Sequence, residues 1–136
     1  MRRRLAFALA MITSFVVACG GDSTLPTQAS VAGTWNLSTI NGSALPFTVQ
    51  ATNPKIEYLN DQLIVSANGT FTQTANFRVT NNGVVANQPL VDSGSYTLSG
   101  TAATFRFNSD GSTGTGTISG NTLTVAQSGY SYVYLR

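Results

Sequence analysis

The chain has no histidine and a single cysteine among its 136 residues. Without histidine there is no Ser-His-Asp or Cys-His pair and no imidazole ligand, and one cysteine can build neither a thiolate metal cluster nor an internal disulfide. Charged residues make up only 9% of the chain, and nothing forms the basic, aromatic-interleaved surface that nucleic acid requires. From Val31 onward there is little Glu, Lys or Ala in helical spacing, which excludes a mainly helical fold. The long apolar run, Leu5 to Ala18, is shorter than the about 20 residues that a membrane-spanning helix needs. No pattern calls for a cofactor or a metal.

What the chain does have begins at its N-terminus. Met1-Arg2-Arg3-Arg4 is basic and the apolar run follows directly, which is the layout of a secretory signal. Val16-Val17-Ala18-Cys19 then resembles the bacterial lipobox, with aliphatic and small residues before a cysteine. That resemblance implies removal of residues 1–18 as a lipoprotein signal peptide and acylation of Cys19, so that the membrane becomes a partner through the acyl chains. The alternative is a chance cysteine ending an ordinary signal peptide or membrane helix. One acyl chain binds a bilayer marginally and reversibly, whereas two or three hold firmly. By the lipoprotein sorting rule of enteric bacteria, Asp directly after the cysteine favours the inner membrane. Here Gly20 and Gly21 come first, so the expected location is the cell envelope, at the outer membrane.

Removing the signal also removes Arg2, Arg3 and Arg4. The remainder sets Lys55, Arg78, Arg106 and Arg136 against Asp22, Glu57, Asp61, Asp92 and Asp110, a slightly acidic balance. Residues 19–30 are small and polar around Pro26 and read as a flexible, lipidated tether. Residues 31–136 are enough for one domain with a modest core.

That domain is rich in Thr, Ser, Asn, Gly, Val and aromatics, a strand composition. Trp35 and Leu37 alternate with polar neighbours, as do Leu63, Val65, Phe71, Phe77 and Val79. Turns fall at Asn41-Gly42, Asn68-Gly69, Asn82-Gly83, Ser99-Gly100, Asp110-Gly111 and Gly120-Asn121. Asn53 to Asp61 is open to two readings, a short helix with Pro54 at its first position or a strand. About 8 to 10 short strands in series predict an all-β, antiparallel up-and-down barrel, which removes exposed edges by pairing the strand around Trp35 with that around Val133. The alternative is an open β-sandwich.

Gly33-Thr34-Trp35, opening the first strand, resembles the Gly-x-Trp start of lipocalins and fatty-acid-binding proteins, and the chain of hairpins fits the same lipocalin-like pattern. The resemblance implies that Gly33 and Trp35 close one barrel end and that Arg136 packs over Trp35. The Arg-x-Tyr that holds a fatty-acid carboxylate in those families has no match in Tyr134-Leu135-Arg136, and no fatty-acid site is carried over.

Candidate chemistry is sparse. Glu57 and Asp61, the one close acidic pair, could flank a glycosidic bond, but their surroundings read as turn-rich and the pair as solvated charge. Asp92 and Asp110 read as turn residues. No catalytic role is assigned, and the chain is read as a non-enzyme. The aromatics Phe71, Phe77, Tyr96, Phe105, Phe107 and Tyr132 are the candidate pocket for a small lipophilic or amphipathic ligand; alternatively they simply fill the barrel. A cavity above about 300 Å³ favours binding, and a solid interior favours a structural or protein-interaction role with a partner that the sequence does not name.

Overall fold

The computed structural model describes residues 26–136. The expected signal peptide 1–18, the lipidation site Cys19 and the linker up to residue 25 lie outside the described residues. The described chain begins with one helical turn, α1 (Gln28–Val31). Its start is a reciprocal cap: the Thr27 hydroxyl accepts from Ser30 N at 3.1 Å, and Ser30 Oγ accepts from Thr27 N at 2.7 Å. This turn falls within the segment expected to be tether, and Ser30 O accepts from Arg136 Nη1 of the domain.

Ten strands follow: β1 (Gly33–Ile40), β2 (Ser43–Ala44), β3 (Phe47–Gln50), β4 (Lys55–Val65), β5 (Thr70–Asn81), β6 (Val84–Ser99), β7 (Ala102–Phe107), β8 (Thr113–Ser119), β9 (Thr122–Gln127) and β10 (Tyr130–Leu135). Period-two patterning explains most of them. In β7, Ala103, Phe105 and Phe107 are buried while Thr104 and Arg106 are exposed. Such strands need a closed partner for the buried face.

Closure occurs as expected. β1 pairs with β10 through Leu37↔Tyr134 and Thr39↔Val133, and along its other edge with β4 through Gly33↔Val65 to Asn36↔Gln62. Eight antiparallel strands, β1 and β4 to β10, thus form a barrel, with β2 and β3 as short additions. No open sandwich forms. The segment Asn53 to Asp61 is strand rather than helix from Lys55 on, because Ile56 and Tyr58 alternate with polar residues. Asn53, a would-be helix cap, instead bonds Asn82: its Nδ2 donates to Asn82 Oδ1 at 2.7 Å, and its Oδ1 accepts from Asn82 N at 2.9 Å.

The two barrel ends differ in construction. At the base, α1 packs beneath Trp35, whose indole Nε1 donates to Val31 O at 2.9 Å. Arg136 Cζ lies 4.4 Å from the centre of the Trp35 ring, and Arg136 Nη1 donates to Ser30 O at 2.8 Å. At the other end, the mouth, β1 and β4 diverge beyond their short pairing, and β2 and β3 line the edges of the gap. The β5–β6 hairpin runs on beyond the last pairing of β6 with β7 at Gly94 to Asn82-Gly83, beside Asn53 of the β3–β4 connection. The φ angles of Asn82 and Gly83, 49° and 83°, suit a tight primed turn. From Asp92 to this turn the strand runs on the order of 25 Å along its length at about 3.4 Å per residue.

Candidate functional site

The site is built by a bulge. In β4 the register slips between Tyr58 and Asn60, so Leu59 is an extra residue and the inward parity changes. Before the slip Tyr58 faces the interior; after it Asp61, Leu63 and Val65 do. A carboxyl group is thereby delivered into the barrel. Asp61 is 3% exposed, contrary to the solvated, turn-rich setting that the sequence suggests.

Three neighbours meet one of its oxygens. Asp61 Oδ2 accepts from Tyr134 Oη at 2.7 Å, Tyr58 Oη at 2.8 Å and Gln73 Nε2 at 2.5 Å. Oδ1 is buried and has no hydrogen-bond partner among the described residues. Burial pushes the Asp61 carboxyl above the usual carboxylate range, and the three side-chain donors and the nearby Gln62 backbone N–H work against that rise without cancelling it. Burial and the adjacent carboxylate also hold Tyr58 and Tyr134 well above the ordinary tyrosine range.

Above this cluster lies a cavity of about 230 Å³. Its walls include Tyr58, Phe77, Phe105, Phe107, Tyr132 and Tyr134, and Gln73 joins them near the Asp61 carboxyl. Asp92, Ser109, Asp110, Ser112 and Gln127 supply polar groups around it. A second, apolar hollow of about 150 Å³ lies under the gap between β1 and β4, lined by Ile40, Phe47, Val49 and Tyr130. Tyr58, Phe77 and Tyr132 line both spaces and so form the partition between them. Two roomier hollows, about 340 Å³ beside α1 and about 450 Å³ along the β9–β10 turn, are surface grooves without this aromatic enclosure.

The expected pocket residues divide between the two ends. Phe77, Phe105, Phe107 and Tyr132 line the mouth cavity. Phe71 and Tyr96 do not. The Phe71 ring meets Phe105 and Phe107 edge-on at 5.4 and 5.1 Å, packed over Gly94. Gly94 has no room for a side chain, since a Cβ there would stand 1.9 Å from Arg106 O and 2.7 Å from the Phe71 ring. Tyr96 points to the base and donates to Ser66 O at 2.7 Å. Gly33, Trp35 and Arg136 gather at that same base.

The acidic residues take places that their sequence neighbours did not announce. Glu57 is buried on the outer side of β4 between Lys55 at 2.9 Å and Arg78 at 2.8 Å, and their hydrogen bonds hold its carboxyl down to about 2. Because Glu57 faces out and Asp61 faces in, the pair does not assemble a two-carboxylate site. Asp92 lies within β6, not in a turn, and accepts from Ser109 Oγ at 2.5 Å. Asp110 is a turn residue, and hydrogen bonds from Ser112 lower its pKa. Sequence reasoning missed Tyr58, Asp61, Gln73, Asp92 and Tyr134 as site residues. One signal was available: apolar residues sit at even positions at Ile56 and Tyr58, then at odd positions at Leu63 and Val65, and that change of phase requires a bulge which turns Asp61 inward.

Residues 31–125 match the family model of a lipocalin-like domain. No curated protein matches the chain.

Proposed function

The chain belongs to the lipocalin-like domain family, and from that premise we propose that it is a lipid-anchored, non-catalytic protein of the cell envelope that binds a small amphipathic ligand in the barrel mouth. The observation that carries this reading is the mouth cavity itself: about 230 Å³, walled by Tyr58, Phe77, Phe105, Phe107 and Tyr132, and floored by hydroxyl and amide groups. At about 230 Å³ the cavity falls short of the about 300 Å³ expected from the sequence for a binding pocket, the lower end for drug-sized ligands, so the ligand we propose is a compact one rather than a long acyl chain. Its aromatic walls take an apolar body, and its tyrosines and Gln73 fix a polar end.

Anchoring at Cys19 complements this geometry. Pro26 and α1 lie beside Arg136 at the base, so a linker from Cys19 of roughly 13 to 16 Å would hold that end toward the bilayer and leave the mouth facing away. The Gly20-Gly21 pair supports the outer membrane as the site.

Native mass spectrometry of the purified protein tests the binding reading. A reproducible non-covalent adduct that Tyr132→Ala loses is the expected result, and adduct-free spectra from every preparation count against it. For the anchor, Cys19→Ser should abolish acyl labelling, and unchanged labelling would remove that part of the proposal.

One observation favours a second reading, a protein-interaction role. Val84, Val85 and Val91 on the projecting hairpin are 70, 59 and 67% exposed, an apolar edge of the kind that partner strands add to. A mouth that stays empty while this hairpin mediates a pull-down would favour it.

A further inference from the structure

We propose that the mouth cavity is a site for a cation, a compact ammonium-bearing molecule with an apolar body, rather than for an anionic lipid. This rests on the binding reading above and adds the charge of the ligand to it. Charge is segregated across the barrel wall.

Asp92 and Asp110 line the cavity, and Asp61 lies behind its floor, bonded to Tyr58, Tyr134 and Gln73, which line it. Among the described residues, no Lys or Arg lines it. The four basic residues of the described chain are all engaged elsewhere or turned away. Lys55 and Arg78 are tied to Glu57 on the outer side of β4 and β5. Arg106 is exposed on the outer face of β7, between the inward Phe105 and Phe107. Arg136 lies over Trp35 at the base. Three of the four acidic residues in this part of the chain thus serve one cavity, and no basic residue does.

The walls agree with the charge. Ring faces attract a cation held within about 6 Å of their centres, most strongly where water is excluded. Tyr58 and Tyr134 donate their protons to Asp61, which leaves their oxygens as acceptors. Asp61 Oδ1, buried behind the floor and without a hydrogen-bond partner among the described residues, is a further unsatisfied polar atom next to the cavity. An ammonium group supplies three donors and no acceptor, which suits a site already rich in acceptors. A carboxylate ligand meets like charge and finds no guanidinium.

Three probes of matched shape separate the ideas: 2-phenylethylammonium, 2-phenylethanol and 3-phenylpropionate, titrated into the protein by calorimetry at low and high salt. The expected order is ammonium over alcohol by about tenfold or more, with the carboxylate weakest and added salt weakening the ammonium alone. Asp92→Asn should narrow the ammonium-to-alcohol ratio; if that variant misfolds, Asp110→Asn on the exposed turn makes the same test. Equal binding of ammonium and alcohol, or a preference for the carboxylate, overturns the cation assignment and leaves the pocket standing. No binding of any probe removes the pocket reading, and the cation assignment with it.

Discussion

At the base of the barrel, Trp35 donates to Val31 O and lies under Arg136, and Tyr96 donates to Ser66 O. At the mouth, Tyr58 and Tyr134 both donate to one carboxyl oxygen of Asp61, while the other has no hydrogen-bond partner among the described residues. The same residue types serve both ends. What differs is satisfaction: the base pairs its polar atoms and packs its interior, with glycines such as Gly94 making room for rings and a surface groove left outside beside α1, whereas the mouth leaves an aromatic-walled cavity, partly exposed aromatics and a buried acid. Stability resides in the first and the proposed binding in the second, a division common to proteins that keep an unsatisfied site on a well-packed scaffold.

A matched pair of truncations tests that division with the largest effect. Phe71→Ala, at a position 2% exposed, should lower unfolding free energy by about 3 to 5 kcal/mol in urea titrations. Phe77→Ala, on the partly open wall, should remove clearly less stability, and comparable losses would erase the distinction. Next in size is Gly94→Ala, which forces a Cβ to 1.9 Å from Arg106 O. Overpacking of that kind costs about 1 to 3 kcal/mol, or more where backbone must move, and thermal melts will read it.

The pH dependence of stability sharpens the comparison at the mouth. Asp61 has its folded pKa raised by burial, so its contribution to stability is greatest below the unfolded carboxylate pKa of about 3.9 and declines as pH rises through the folded value. The titratable groups facing it, Tyr58, Tyr132 and Tyr134, are all raised above the ordinary tyrosine range and stay protonated there. Glu57 works in the opposite sense: its folded pKa of about 2 gives stability above its ordinary 4.5 that is lost as pH falls toward 2. Asp61→Asn should therefore flatten the decline in melting temperature above about pH 4 and keep the acid-side loss. An unchanged slope would mean that Asp61 is not the buried group responsible. The smallest effect belongs to Arg136→Ala, where loss of the ring contact costs about 0.5 to 2 kcal/mol and should leave probe binding at the mouth intact.

How much of this was legible follows the same boundary. The base could be read from Gly33, Trp35 and the C-terminal Arg136, and barrel closure from serial hairpins that need their edges removed. The mouth could not, because it depends on register. Leu59 as an extra residue decides whether Asp61 meets water or the interior, and only the phase change between Tyr58 and Leu63 hints at it. The first half of β6 was equally hidden: residues 84–91 are exposed, include Pro89, and have no alternation to betray a strand. Their place is set by pairing with β5 from the Asn82-Gly83 turn. Phe71 and Phe105 are alike as sequence, yet only Phe105 reaches the cavity, because Gly94 opposite Phe71 draws that ring into the packed layer.

The most direct measurement is a residue-resolved NMR titration of the protein with 2-phenylethylammonium, following the aromatic side chains. Saturable shifts are expected at Tyr58, Phe77, Phe105, Phe107 and Tyr132, with Trp35 and Tyr96 unmoved. Shifts centred on Trp35 and Tyr96, or none at any ring, would contradict binding at the mouth.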